Sequence, residues 1–249
     1  MHTADYLDSI ERRAPAEGLV HIDPDTYMGP DSLAAATHAA GAAVLATDLV
    51  IAGQVANAFA LVRPPGHHAI RDSAMGFCLY NNVAVGAAHA LSHDGIERVA
   101  ILDFDVHQGN GTEDIFRGHP DVLFCSTYQH PFYPFTNGAS RDGDVINVPL
   151  PSGSAGAGFR DAVLDHWVPA IEAFAPQMIF VSAGFDAHVA DPLGGLALTE
   201  ADYSWVTDRI VELADRFAGG RIVSCLEGGY SPTALGPSVA AHVRSLARL

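Results

Sequence analysis

Short apolar runs rich in Val, Ile and Phe recur along the chain, separated by longer Ala-rich stretches in which apolar positions return at helical spacing. Continuous apolar runs, as opposed to alternating ones, are what strands covered on both faces require, and they point to a parallel sheet. The pattern predicts strands near residues 57–62, 98–104, 121–126, 145–149, 177–182 and 221–226. Helices are predicted near residues 31–53, 81–93, 156–174, 199–218 and 233–247. Asp31-Ser32 and Thr199-Glu200 supply helix starts, and Gly53 and Gly219-Gly220 supply stops. Alternating elements of this kind predict an α/β architecture with helices on both sides of the sheet. The 249 residues contain no repeat, charge block or low-complexity linker and suit one large domain spanning 1–249.

Composition narrows the partners. The 29 Asp and Glu against 13 Lys and Arg give a formal charge of -16, which argues against nucleic acid and suits a cationic partner, or simply a solvated acidic surface. Cys78, Cys125 and Cys225 sit in apolar surroundings without C-x-x-C spacing, as reduced core thiols do. The N-terminus has neither a basic flank nor an apolar signal core, and no stretch is expected to approach an uncharged membrane span of ~20 residues. A cytoplasmic protein without membrane contact is therefore expected.

Three long loops, 63–80, 128–144 and 184–198, are expected to carry function, because loops of that length in a compact domain usually do. Four apolar runs lead at once into reactive residues: Arg63 to His68, Asp103 to Asn110, Gly184 to Asp186, and Glu227 to Tyr230. In a parallel sheet the C-terminal strand ends share one edge, so these distant segments converge there. Asp105 and His107 are two apart on an extended chain and face the same side. With Asp186 they make a candidate metal site with open positions for water and substrate. Taken singly, each has an ordinary alternative: an Asp at a strand end often caps a helix.

Adjacent His67 and His68 follow Pro-Pro-Gly, which restricts their backbone, and a free imidazole beside an activated water is a natural base and acid. Asp103 and Asn110 are the candidate partners that fix its tautomer. Tyr230 follows two glycines and could aim a phenol at a developing oxyanion. Phe77 and Tyr133 read equally well as walls of an apolar channel or as loop residues folded onto the core.

Five motifs in order, Arg63-Pro-Pro-Gly-His-His-Ala69, Gly76-Phe-Cys-Leu-Tyr-Asn-Asn82, Asp103-Phe-Asp-Val-His-Gln-Gly-Asn-Gly-Thr112, Ser182-Ala-Gly-Phe-Asp186 and Leu226-Glu-Gly-Gly-Tyr230, closely resemble the zinc-dependent histone deacetylase superfamily. The likeness is greatest to its class II and bacterial branch, which includes acetylpolyamine amidohydrolases. The resemblance implies a three-layer α/β/α, arginase-like fold with a mainly parallel sheet. It implies zinc on Asp105, His107 and Asp186, His68 as general base and then acid, and His67, paired with Asp103, tuning the charge around the water. Tyr230 would polarise the carbonyl, and Phe77 and Tyr133, with Gly76 beside them, would flank the acyl-lysine-like stem. Asn110 stands where other branches carry Asp. Structural potassium is implied near Asp103, Asp105, His107, Ser126 and Thr127, with a second site near Phe116, His119 and Val122.

Members of that superfamily usually carry some tens of residues before the segment resembling His2 to Tyr6. Their absence predicts a more open mouth and a free sheet edge that a homodimer could cover. The reading is thus a metal-dependent deacylase for an N-acylated primary amine, either acetyl-lysine or a small molecule such as an acetylpolyamine. A metal-binding scaffold without turnover, and a ureohydrolase with two adjacent metals, are the rivals. Ligand types alone accept Fe(II) or Co(II) as well as zinc.

Overall fold

A computed structural model describes residues 1–136, 140 and 143–249. Six strands form the central sheet: β3 (Asn57–Ala60), β4 (Val99–Asp103), β5 (Val122–Gln129), β6 (Val145–Leu150), β7 (Met178–Ala183) and β8 (Ile222–Leu226). They lie in the order β3-β8-β7-β4-β5-β6, and every pair is parallel. Ahead of them a separate antiparallel hairpin joins β1 (Val20–Asp23) and β2 (Thr26–Met28). β3 bonds to β8 on one side, and its other edge carries no strand among the described residues.

Alternate strand residues feed two separate cores, the signature of a sheet covered on both faces. Val99, Ile101, Val122, Phe124, Met178 and Phe180 pack beneath α2 (Ser32–Ile51) and α3 (Asn82–Ala90). Ala100, Leu102, Leu123, Ile179 and Val181 pack on the other face, which is covered by α5 (Gly156–Ala162), α6 (Val168–Phe174), α7 (Glu200–Phe217) and α8 (Pro232–Leu246). The three-layer α/β/α expectation is met. Cys78, Cys125 and Cys225 are free and buried.

Several boundaries differ from expectation for identifiable reasons. The segment 156–174 is not one α-helix: a π-helical turn, Val163–Trp167, separates α5 from α6. Pro169 has no N–H to continue the i→i−4 ladder, and the Val168 N–H instead reaches back to the Val163 carbonyl. β5 runs on to Gln129, taking in the start of the expected loop 128–144; residues 137–139 and 141–142 of that loop lie outside the described residues. Three further elements carry no strong sequence pattern: the hairpin, α1 (Ala4–Arg13), whose buried face is only Tyr6 and Ile10, and the seven-residue α4 (Asn110–Phe116).

By length and composition α2 comes nearest to a membrane span, although it is not uncharged, since it carries Asp48. Its 20 residues include a window of mean hydropathy 1.5, of which 33% is buried inside the protein. Ala36, Ala39, Ala43, Ala46 and Val50 are the buried stripe that packs inward.

Candidate active site

β4 is flanked by β5 on one side and β7 on the other, although β7 comes three strands after β4 in the chain. A crevice opens at such a reversal, outside the C-terminal strand ends. Asp103 stands level with Ser126 of β5 and Ser182 of β7, so the residues after β4 and β7 emerge side by side. There, Asp105, His107 and Asp186 bring one donor atom each to within 4.8 Å of one another.

The three donors are held from behind. Asp105 Oδ1 accepts the His107 N–H and Oδ2 the Gly228 N–H, both at 2.9 Å. Asp186 Oδ1 accepts the Val106 N–H at 2.9 Å. His107 Nδ1 then lies 3.0 Å from Asp105 Oδ1 and 3.2 Å from Asp186 Oδ2. That Oδ2 is fully buried and receives no well-aligned hydrogen bond. The glycines flanking these residues are required by space, since a Cβ at Gly184 would run into Asp105 and one at Gly228 into Asp186.

Two buried carboxylates facing one imidazole demand a positive charge between them. Burial pulls the His107 pKa down, but its bonds to Asp105 and Asp186 outweigh that and carry it up to about 10. Asp186 is pushed up to about 6, by burial first and then by Asp105. An imidazole nitrogen, an orphaned carboxylate oxygen and a second carboxylate around one point fit a divalent ion, which would take the place of the shared proton.

His68 sits at the base of the same space. Its Nδ1 is 2.7 Å from Asn110 Oδ1, an acceptor only, so Nδ1 carries the hydrogen and Nε2 keeps a free lone pair. Burial, then repulsion from His67 and His107, holds its pKa well below the ordinary histidine value. His67 is the opposite case. Burial opposes its charge, but Asp105, Asp103 and Glu227 outweigh burial and hold its pKa well above the ordinary value. Its Nδ1 bonds Asp103 Oδ2 at 2.9 Å.

The cavity above has a volume of about 270 Å³ and is lined by His68, His107, Gly76, Phe77, Phe132, Tyr133, Tyr230, Asp25, Pro192 and Leu193. Phe132 stacks on His107, and Tyr133 meets His68 edge-on. Phe77 has a φ of 68°, an uncommon conformation for a bulky residue. The hairpin tip holds it there: Asp25 Oδ1 accepts the Gly76 N–H at 3.1 Å, and Thr26 Oγ1 accepts the Phe77 N–H at 3.0 Å.

Ser126 Oγ and Thr127 Oγ1, expected at a monovalent-cation site beside Asp103, are buried oxygens without a hydrogen-bond partner, as open ligands would be. At the second expected position, the Phe116 carbonyl accepts the His119 N–H, and the His119 carbonyl accepts the Val122 N–H, forming the turn between α4 and β5.

Three residues have supporting roles that the sequence pattern does not show. Glu227 Oε2 accepts the Gly66 and His67 N–H groups at 2.6 and 3.0 Å, and Oε1 accepts the Ser182 hydroxyl at 3.2 Å. Burial pushes its pKa up to about 7 against the pull of His67. Asp191 Oδ2 accepts the Tyr230 and Ser231 N–H groups at 2.7 and 3.1 Å, fixing the backbone under the phenol. Asp25 is the third. Asp191-Pro192 and Asp23-Pro24-Asp25 carry a recognisable signal, that of a turn, whereas Glu227 carries none for its backbone bonds.

Residues 1–246 match the histone deacetylase domain model. The chain belongs to the histone deacetylase family. Relatives within the family include histone deacetylase 10, chloroplastic, of Oryza sativa subsp. japonica, 41% identical across 98% of this chain and 59% of its own length. The histone deacetylase-like amidohydrolase of Pseudomonas aeruginosa is 40% identical across 93% of this chain and 62% of its own. This chain thus spans about three-fifths of the length of those relatives. Among solved structures, the crystal structure of the HDA15 HD domain superposes with a TM-score of 0.92 at 38% identity, covering 98% of this chain and 70% of that one.

Proposed function

We propose that this chain is a metal-dependent deacylase that hydrolyses the amide of an N-acylated primary amine. The observation that carries the reading is the convergence of Asp105, His107 and Asp186 with the bare His68 Nε2 beneath an aromatic-walled cavity. Asp105, His107 and Asp186 would hold the ion, with zinc expected and Fe(II) or Co(II) accepted by the same donors. When bound, it supplies Lewis-acid polarisation of the acyl carbonyl and makes water nucleophilic near neutral pH. His68 takes the proton from that water as its oxygen bonds the acyl carbon, then delivers it to the leaving nitrogen as the C–N bond breaks. The products are a carboxylate and a free amine. His67, paired with Asp103, keeps positive charge beside the reacting oxygens. The Tyr230 hydroxyl donates to the carbonyl oxygen as charge builds there. Phe77 and Tyr133 enclose the aliphatic stem and exclude water.

Asp25 in the cavity wall and the -16 formal charge favour a substrate with positive charge beyond the acyl group, so an acetylpolyamine stands beside acetyl-lysine. A potassium ion at Asp103, Asp105, His107, Ser126 and Thr127 belongs to the same reading.

The test is hydrolysis of an acetyl-lysine peptide and an acetylpolyamine by metal-quantified protein, wild type and Tyr230→Phe. Loss of the phenol should lower kcat by about 10²–10³ with KM little changed. Equal rates for the two proteins would remove Tyr230 from the mechanism. Metal-loaded protein inert on both substrates would favour the scaffold reading.

A further inference from the structure

A second cluster of metal-ligating groups lies away from the cavity. Asp48 is in the last turn of α2 and His89 near the end of α3. His93 follows just after, where the Ser92 and His93 N–H groups still bond the His89 and Ala90 carbonyls and continue the helical curl. The four-residue spacing therefore puts both imidazoles on one side. These helices run antiparallel to the strands they precede, so their C-terminal ends sit at the N-terminal edge of the sheet, opposite the candidate active site.

The three side chains meet at a point. His89 Nε2 is 2.7 Å and His93 Nε2 3.2 Å from the same oxygen, Asp48 Oδ1, and the two nitrogens are 3.2 Å apart. The rings are nearly perpendicular, at 89°, so they aim their nitrogens inward instead of stacking.

Protons alone satisfy this triangle poorly. If both Nε2 atoms carry hydrogen for the carboxylate, two N–H groups crowd each other. If one is bare, its lone pair faces the lone pairs of Asp48 Oδ1. A cation at the centre removes either conflict, because all three lone pairs then point at it. For ligand bonds of ~2.0–2.1 Å a tetrahedral site has donor separations of ~3.3–3.4 Å, within a few tenths of an ångström of two of the three found here. The negative ends of two helix dipoles add to the attraction.

We propose that Asp48, His89 and His93 form a second metal site that takes one divalent transition-metal ion of the zinc class, with water in the remaining position. Imidazole and carboxylate donors suit Zn²⁺, Ni²⁺ and Cu²⁺ better than Ca²⁺ or Mg²⁺. The ion fastens α2 to α3 where the two helices end. This site is independent of the deacylase reading, since it shares no residue with the cavity.

The side chains of Asp48, His89 and His93 are 48%, 31% and 32% exposed, so substitution leaves the core intact. The full chain, stripped of metal by chelator and dialysed, is titrated with ZnCl₂ by calorimetry beside His89→Ala/His93→Ala and the near-isosteric Asp48→Asn. Wild type should take up one more zinc equivalent per chain than the double variant, with a Kd in the micromolar range or tighter, and Asp48→Asn should weaken that equivalent at least about tenfold. At zinc a hundredfold above Kd, this site should raise the wild-type Tm by about 5–10 °C, an increment the double variant lacks. Equal stoichiometry in wild type and double variant, or a millimolar Kd for the extra equivalent, would overturn the proposal. Metal content and Tm read this site whether or not the protein hydrolyses any amide.

Discussion

The His68 tautomer is set by a single side chain. Asn110 accepts from Nδ1 and so leaves Nε2 bare, but unlike a carboxylate it brings no charge to steady an imidazolium. Asn110→Ala should release the ring and lower kcat about 10–100-fold with the metal content unchanged, readable by steady-state kinetics on metal-quantified protein. Gly228 acts through space. A methyl group there would press on the buried carboxylates of Asp186 and Asp105, so Gly228→Ala should lose the deep-site metal and hydrolysis together while the protein stays folded, as metal analysis beside circular dichroism would show. The reactive side chains were readable because they follow apolar runs in recognisable motifs. Glu227 lies in one of those motifs, but its role, like that of Asp191, was not readable. Both work by accepting backbone N–H groups from segments up to 161 residues away, and no local pattern encodes such a bond.

At the scale of elements, the strands β4, β7 and β8 stood out because all five or six of their residues are buried and most of those are apolar, with a single polar residue in each: Asp103, Ser182 and Ser224. The hairpin and α1 did not, since each buries only two or so side chains and the rest of their sequence is polar. Yet the hairpin tip carries Asp25 and Thr26, which hold Phe77 at the cavity wall. The start of α7 was readable as Thr199-Glu200, although its partner was not. Asp202 Oδ2 accepts the Thr199 N–H at 3.0 Å, completing a capping box, while Oδ1 receives Arg160 of α5 at 2.9 and 3.1 Å. Asp202→Ala removes both. It should cost about 2–3 kcal/mol of stability, seen as a lower urea midpoint at constant m-value.

The whole molecule carries a built-in sensitivity to acid. His242 is fully buried between α8 and the sheet, bonded to the Thr207 hydroxyl at 2.7 Å and the Ser224 hydroxyl at 2.9 Å, and burial depresses its pKa to about 3. In the unfolded chain it titrates near its ordinary value of about 6.5. Between those values the unfolded state binds a proton that the folded state refuses, so stability falls as pH drops below about 6.5. Between pH 7 and pH 5 the wild type should lose about 2 kcal/mol more than His242→Gln, measured by urea unfolding of both proteins at each pH.

The order in which the chain is made adds a further constraint. Asp105 and His107 emerge from synthesis some eighty residues before Asp186, which arrives with β7, and β8, the other neighbour of β7 in the sheet, is made later still. A nascent fragment ending anywhere before that strand has two donors and no cup. Contacts that close across such a sequence separation carry a larger loop-closure entropy cost, which slows folding. The newborn polypeptide is therefore unable to capture metal as a finished centre until most of its sheet has assembled, which keeps half-made copies chemically silent.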